Sequence, residues 1–218
     1  NIFVYGNEKS KFPCRQSKES IHEIIHNHQI KNYIILKQSS EAVDTGVFHN
    51  DVISFGFKNK LFCHYQAFEN QKECLNEINH HYKKLFHHQL DIIEINSITL
   101  SEAVDTYLFN SQVIINDNNH YLLCPSSVRE NIKTFKIVEQ WKLNGHFKDI
   151  LFIPLSNSLR NGGGPACMRL SIYLSKNEQS LIKKEFILDN EMVNNLREKF
   201  IKTYPTNFNP RTFLNSML

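Results

Sequence analysis

The chain has 218 residues, 41% of them hydrophobic, and a formal net charge of +3. That length accommodates one large domain or two small ones around an ordinary globular core, no basic run is long enough for a nucleic-acid footprint, and no apolar run approaches the roughly 18 residues of a membrane span. Five cysteines, an odd count with no CxxC pair, read as reduced thiols of a cytoplasmic protein, and the eleven histidines lack a metal-ligand spacing.

The chain opens on Asn1 and runs at once into Ile2-Phe3-Val4-Tyr5, with no initiator methionine or signal segment, which reads as the interior of a longer sequence. After the loop Phe12-Pro13-Cys14-Arg15-Gln16, Ser17 is placed as the N-cap of an amphipathic helix over about residues 17–30, with Ile21, Ile24 and Ile25 on one face. Tyr33-Ile34-Ile35-Leu36 reads as a short buried strand, and Lys37 to Gly46 as a polar loop. Val52 to Phe55 and Leu61 to Cys63 form a hairpin around Lys58-Asn59. Residues 67–88 form a second helix, with Leu75, Ile78, Tyr82 and Leu85 on its apolar face. The pairs His80-His81 and His87-His88 fall on its solvated side. Asp91 to Ile95 is a strand.

The pattern then restarts. A polar loop carries Ser101 to Thr106, Gln112 to Ile115 hairpins through Asp117-Asn118-Asn119 into Tyr121 to Cys124, a helix runs from about Ser126 to Leu143, and Ile150 to Ile153 is a strand. A strand-like run, Met168 to Leu174, follows the glycine-rich stretch Asn161-Gly162-Gly163-Gly164-Pro165-Ala166-Cys167. Beyond it Asn190 is placed to cap a helix carrying Met192, Val193, Leu196 and Phe200, and Tyr204 to Met217 is irregular.

The repeat is also literal. Ser40-Glu41-Ala42-Val43-Asp44-Thr45 recurs unchanged as Ser101-Glu102-Ala103-Val104-Asp105-Thr106, six identities at a spacing of 61. Continued in register, Phe48 matches Phe109, His49 matches Asn110, and Val52-Ile53 match Val113-Ile114. Each unit is a ββαβ element of about 60 residues, too long for a solenoid turn and suited to one blade of an α/β propeller. Equivalent positions in a radial array point at one axis, so His49 and Cys167 are expected to face a common cavity.

Those two residue types have a shared chemistry. A cysteine delivered by a glycine turn is placed as a nucleophile, the alternative being a buried packing thiol, and a histidine within reach can move its proton. Asp51 is either a turn-capping residue or a carboxylate for a cationic ligand. Arg15 is either a clamp for a ligand carboxylate or a surface arginine. Asn161 either caps the glycine turn or hydrogen-bonds the ligand. Cys14, Cys63, Cys74 and Cys124 read as packing residues, and His64 as structural.

Taken together, Val47 to Ile53, Leu61 to His64, Thr106 to Gln112 and Asn161 to Cys167 resemble the N-succinylarginine dihydrolases, a family of the guanidino-group-modifying or pentein superfamily. The resemblance covers residues from about Phe12 to about Tyr204. It implies a single domain over 1–218, three to four blades of a five-bladed pentein propeller whose N-terminal blades, with an acidic catalytic residue, lie outside this chain. It further implies hydrolysis of N2-succinyl-L-arginine to N2-succinyl-L-ornithine, two ammonia and carbon dioxide, with no metal or organic cofactor and no nucleic-acid or membrane partner. In the family's pattern the nucleophile falls on Cys167, the catalytic histidine on His49, and the substrate-binding residues on Asp51, Asn161 and Arg15. A homodimer is left open. The alternative, motivated by the missing acid, is an inactive propeller that serves as a binding platform; an arginine deiminase or amidinotransferase of the same superfamily is a third reading.

Overall fold

Strand β1 (Ile2–Tyr5) pairs in parallel with β2 (Ile34–Lys37), and helix α1 (Lys18–Asn27) makes the crossover that a parallel pair requires. The computed structural model describes residues 1–6, 10–169 and 174–203, and the chain divides into two units, Asn1–Arg169 and Leu170–Leu218. Helix α1 begins where its sequence dictates. Ser17 is extended and its Oγ accepts from the Ser20 N–H, which satisfies an otherwise orphaned donor of the first turn. Its apolar face buries Ile21 and Ile25.

A short helix, α2 (Ser40–Asp44), precedes the first complete repeat. There β3 (Ser54–Phe57) and β4 (Lys60–His64) form an antiparallel hairpin, and α3 (Gln71–Phe86) returns the chain to β5 (Asp91–Ile95), parallel to β4. The second repeat follows the same course. Helix α4 (Leu100–Thr106) leads to the hairpin of β6 (Gln112–Asn116) and β7 (Asn119–Pro125); α5 (Ser126–Glu130) and α6 (Ile132–Leu143) then return the chain to β8 (Asp149–Ile153), parallel to β7. Among the described residues the sheets, β1-β2, β3-β4-β5 and β6-β7-β8, are separate and none closes on itself. The architecture at this level is an α/β fold built on a repeated ββαβ element.

Aromatic side chains join the two repeats. Phe62 on β4 stacks on Phe55 with ring centroids 4.7 Å apart, and Trp141 of α6 meets it edge-on at 4.8 Å. Offset and edge-to-face pairs of this kind suit the ring quadrupoles, and burying one such ring is worth roughly 1.5–3 kcal/mol. The middle strand β4 is buried at four successive residues, Leu61 to His64. That places it under cover on both faces rather than at a wet surface.

Several expectations are corrected. Both polar loops carry helices, α2 and α4. Ser39 and Thr99 supply N-caps, and Ala42, Val43 and Ala103 turn inward to the core, which outweighs the polar composition. Val52 closes a 3-10 turn (Asn50–Val52) and Ile53 caps it, so β3 starts only at Ser54. The single helix over 126–143 is two helices. Asn131 is extended (φ −96°, ψ 119°), and its Oδ1 accepts from the N–H groups of Lys133 and Thr134, so it starts a new helix.

The 61-residue register also slips after the repeated hexapeptide. The 3-10 turns Asn50–Val52 and Leu108–Asn110 lie 58 apart, as do the strand starts Ser54 and Gln112. In place, His49 therefore corresponds to Tyr107, each being the N-cap of its turn, rather than to Asn110.

Past β8 a short helix, α7 (Ser156–Leu159), leads into the glycine stretch. Met168 lies in a turn; residues 170–173 of the expected strand lie outside the described residues, as does the irregular tail from 204 onward. In the second unit, α8 (Lys176–Leu181) opens with a capping box between Ser175 and Glu178. Helix α9 (Asn190–Thr203) is capped by Asp189, whose Oδ1 accepts from the Met192 N–H at 2.8 Å; Asn190 is already its first residue.

Candidate active site

Two buried amides fix the segment that carries His49. Gln38 Nε2 donates to the Val47 carbonyl at 2.9 Å, and Asn50 Nδ2 donates to the Ala67 carbonyl at 3.1 Å. Between these anchors His49 is extended (φ −146°, ψ 138°) and caps the following 3-10 turn with its ring. Nδ1 accepts from the Asp51 N–H at 3.2 Å, and Asp51 Oδ2 lies 3.3 Å from the same nitrogen. One ring nitrogen cannot accept from the amide and donate to the carboxylate at once. While Nδ1 accepts, the neutral ring carries its proton on Nε2; once Nδ1 is protonated, Asp51 is its partner. Each proton state thus has a partner in place, which fits a group that moves protons. The turn is capped by His49, so Asp51 is not the capping residue. Its side chain is 59% exposed and open to a cationic ligand.

Arg15, His49 and Asp51 line one cleft of about 970 Å³, together with Phe48, Asn50 and Phe68. Its lining thus includes Asp51, with the His49 ring beside its carboxylate, and basic residues, Arg15 together with Lys31, Lys58, Lys60 and Lys84. Arg15 is exposed on the loop before α1. Cys167 and Asn161 do not line this cleft.

The glycine stretch is held by its own hydrogen bonds. Gly162 has φ +76°, a left-handed conformation that side-chain-bearing residues rarely adopt. Ser158 Oγ donates to the Gly163 carbonyl at 2.7 Å, and the Ala166 N–H donates to the Asn110 carbonyl at 3.0 Å. Cys167 emerges exposed at the end of this turn, unlike the buried Cys63 and Cys124. Its Sγ lies 3.3 Å from Asn110 Oδ1, to which the thiol donates. A Cβ added at Gly164 would fall 2.3 Å from that same Oδ1, so only glycine allows the amide its position. Asn161 is exposed, and its Nδ2 donates to the Asn157 carbonyl at 2.9 Å within its own turn.

The two halves meet through Phe48. A Cβ at Gly162 would lie 3.5 Å from Phe48 Cζ and 3.9 Å from the Tyr107 hydroxyl. No hydrogen bond or ion pair among the described residues joins His49 or Asp51 directly to Cys167.

From the sequence Asn110 stands only as the counterpart of His49, without a role, and Tyr107 is not singled out. Asn110 is fully buried, with Nδ2 lacking a partner among the described residues. Burial, and then the neighbouring Cys167, push the Tyr107 hydroxyl above its usual range. Their signal was the run Tyr107-Leu108-Phe109-Asn110, already part of a family-like motif.

Cys63 and Cys124 are buried in the core, Cys74 packs half-buried against it, and Cys14 is half-buried. Burial pushes the Cys63 and Cys124 thiols up to about 12. His64 is buried and structural: Nε2 meets the Ile98 carbonyl at 3.0 Å and Nδ1 accepts from the Gln66 N–H at 3.1 Å. Among the described residues no group of three or more His, Cys, Asp or Glu is arranged to hold a metal ion, and no helix is long and apolar enough to cross a membrane.

Comparison with known proteins places these motifs. A family profile described as succinylarginine dihydrolase matches residues 1–218. The N-succinylarginine dihydrolase of Pseudoalteromonas translucida is 37% identical over 184 residues, 82% of this chain and 41% of the relative. That of Legionella pneumophila (strain Paris) is 35% identical over 224 residues, 94% of this chain and 49% of the relative. The chain spans about half the length of the curated relatives it matches. Among solved structures, the N-terminal domain of ArgZ, a cyanobacterial arginine dihydrolase, gives a TM-score of 0.48 at 18% identity, covering 75% of this chain and 48% of that one. Agmatine deiminase of C. jejuni gives 0.39 at 12% identity, covering 76% and 50%.

Proposed function

The chain belongs to the succinylarginine dihydrolase family, and on that premise we propose that its protein hydrolyses N2-succinyl-L-arginine to N2-succinyl-L-ornithine, two ammonia and carbon dioxide in arginine catabolism. The observation that carries this reading is that Asp51, with His49 beside it, lines the same cleft as Arg15 and other basic residues. Succinylarginine has the complementary pattern, a guanidinium at one end and carboxylates at the other. Asp51 holds the guanidinium, for which two parallel N–H···O bonds are the strong geometry, and Arg15 pairs with a substrate carboxylate. Asn161 contacts the substrate from the glycine turn.

In this reading the Cys167 thiolate adds to the guanidinium carbon. Ammonia leaves with a proton from His49, and water then displaces the sulfur to give the ureido product and regenerate the thiol. A second addition of water, at the ureido carbon, releases the other ammonia and carbon dioxide and frees the ornithine amine. Exposure of Cys167 on a fixed turn and the two partnered proton states of His49 support these roles.

The fold belongs to the same proposal. Repetition of ββαβ supports blades of a pentein propeller, and the unbroken family match supports residues 1–218 as one domain of it. Five free cysteines support a cytoplasmic setting.

The test is ammonia release from N2-succinyl-L-arginine, two per succinylornithine formed. Cys167→Ser is expected to lower turnover by about 10³-fold or more. An active Cys167→Ser protein moves the nucleophile elsewhere. Citrulline formed from free arginine, with succinylarginine inert, replaces the substrate. Binding of succinylarginine with no turnover reduces the protein to a binding platform.

A further inference from the structure

Asn110 combines two facts that rarely coincide. Its side chain is fully buried with an amide nitrogen that has no partner among the described residues, and its Oδ1 accepts from the exposed thiol of Cys167 at 3.3 Å. Buried polar groups are nearly always paired, so an orphaned N–H asks for an explanation. Slack in the chain does not supply one. The Asn110 N–H donates to the Tyr107 carbonyl at 3.0 Å, and its carbonyl accepts from the Ala166 N–H at 3.0 Å. Gly164 leaves room for the amide where any Cβ would collide with it.

We propose that Asn110 is a positioning residue for Cys167, accepting the S–H on Oδ1 while the thiol is protonated and turning its amide over so that Nδ2 donates to the thiolate. The two orientations of an amide occupy the same heavy-atom positions, so the switch needs a half-turn and no new space. When the thiol gives its proton to a base in solution, Oδ1 faces a negative sulfur and no donor. Turned over, the amide puts an N–H against the sulfur, and the orphan becomes a carbonyl oxygen, which proteins leave under-satisfied more readily than an N–H. The thiolate gains a hydrogen bond that the thiol does not use, and such a bond favours the charged form.

Among the described residues the titratable neighbours are few. Tyr107 faces Cys167 from the turn before β6, and its raised titration keeps it neutral at moderate pH. Arg169 follows two residues along the same loop. The catalytic meaning of the switch rests on the hydrolase reading; the switch itself does not need turnover.

The experiment is the pH dependence of iodoacetamide alkylation at Cys167, read by peptide mass spectrometry on the full chain. Asn110→Asp keeps the shape but cannot donate from an ionised carboxylate. It is expected to slow alkylation about tenfold near neutral pH and to raise the midpoint by about one unit. Gly164→Ala, which drives the amide off the sulfur, is expected to shift the midpoint the same way. Cys74 in the same sample is expected to be unchanged, and a parallel shift there overturns the proposal as a global effect.

Should the variants fail to fold, the unaltered protein decides. The ¹⁵N resonance of the Asn110 side-chain amide is expected to titrate with the Cys167 alkylation midpoint, and a flat resonance overturns the switch. Superimposable Cys167 profiles in wild type and a folded Asn110→Asp also overturn it, leaving the hydrolase test untouched. Loss of the nucleophile role in Cys167→Ser assays leaves this titration untouched in turn.

Discussion

The two ββαβ repeats share an architecture and differ in what they display. In the first, three residues, Gly46 to Phe48, separate the C-cap of α2 from His49, and the ring emerges half-buried beside Asp51 on a cleft. In the second, Tyr107 is at once the C-cap of α4 and the N-cap of the 3-10 turn, and it is buried under the glycine stretch. A three-residue difference ahead of one turn thus separates a half-buried imidazole on a cleft from a buried tyrosine beside the exposed Cys167 thiol. The repeat sets the frame, and the connection sets the chemistry.

That division is broken most directly by exchanging its two ends. His49→Ala is expected to lower turnover of succinylarginine by about 10²–10⁴-fold, the range for a positioned acid–base group. Tyr107→Phe, at the equivalent place, is expected to change kcat by about threefold or less, since its ring rather than its hydroxyl does the packing. Equal losses in the two variants would mean that both repeats feed the chemistry alike.

The sequence held most of the frame and part of the site. Strands were legible because short apolar runs bounded by turn residues have few other uses; β5 is found at Asp91–Ile95 as expected. The helices α2 and α4 were hidden because their polar letters face outward and only Ala42, Val43 and Ala103 reach the core. The break at Asn131 was hidden because a capping asparagine and a helix-interior asparagine look alike until the backbone is seen. His49 and Cys167 were visible as residue types. Asn110 was visible only as the counterpart of His49, since its contact with Cys167 is a hydrogen bond across 57 positions of chain. The slip from 61 to 58 could not be read from the letters, because Phe48 with Phe109 and Val52-Ile53 with Val113-Ile114 still match 61 apart beyond it.

The second contrast concerns the middle strands. Phe62 and Leu122 hold equivalent places, each paired to both neighbours of its sheet. Phe62 also carries the contacts with Phe55 and Trp141. Phe62→Ala is expected to cost about 3–5 kcal/mol and Leu122→Ala somewhat less, within about 2–4 kcal/mol, by urea unfolding. The reverse order would place the shared core in the second repeat.

Two positions later the repeats differ in what can be charged. His64 ends β4 where β7 has Cys124, a buried thiol pushed up to about 12, so only the first repeat takes a proton there near neutral pH. Burial holds the His64 imidazole below its ordinary range, and its Nδ1 is already committed to the Gln66 N–H. The unfolded chain therefore takes the proton first as the pH falls. Stability is intact above the ordinary histidine value of about 6.5 and declines as the pH drops below it toward the depressed folded value. His64→Gln is expected to flatten that decline in urea midpoints between about pH 5 and 7.5. An unchanged slope would assign the acid sensitivity to another group.

The smallest effect tests the repeated hexapeptide itself. The same six letters start one helical position apart, because Ser39 caps α2 whereas Thr99 caps α4. Glu102 therefore falls at the third helical position and closes a capping box, accepting from the Thr99 N–H at 2.8 Å while Thr99 Oγ1 accepts from the Glu102 N–H at 3.2 Å. Glu41 falls at the second position and cannot reach back; it accepts from Gln66 Nε2 instead. The Ser39 cap is a single bond, 3.4 Å from the Ala42 N–H. Gln38, which stands where Thr99 does in the 61-residue register, is committed to the Val47 carbonyl beside His49. Thr99→Ala is accordingly expected to cost about 1–2 kcal/mol and Ser39→Ala about 0.5 kcal/mol, by urea unfolding. Equal costs would show that the capping box contributes nothing, and that the one-position shift is a passive consequence of the Gln38 anchor rather than a source of stability in the second repeat.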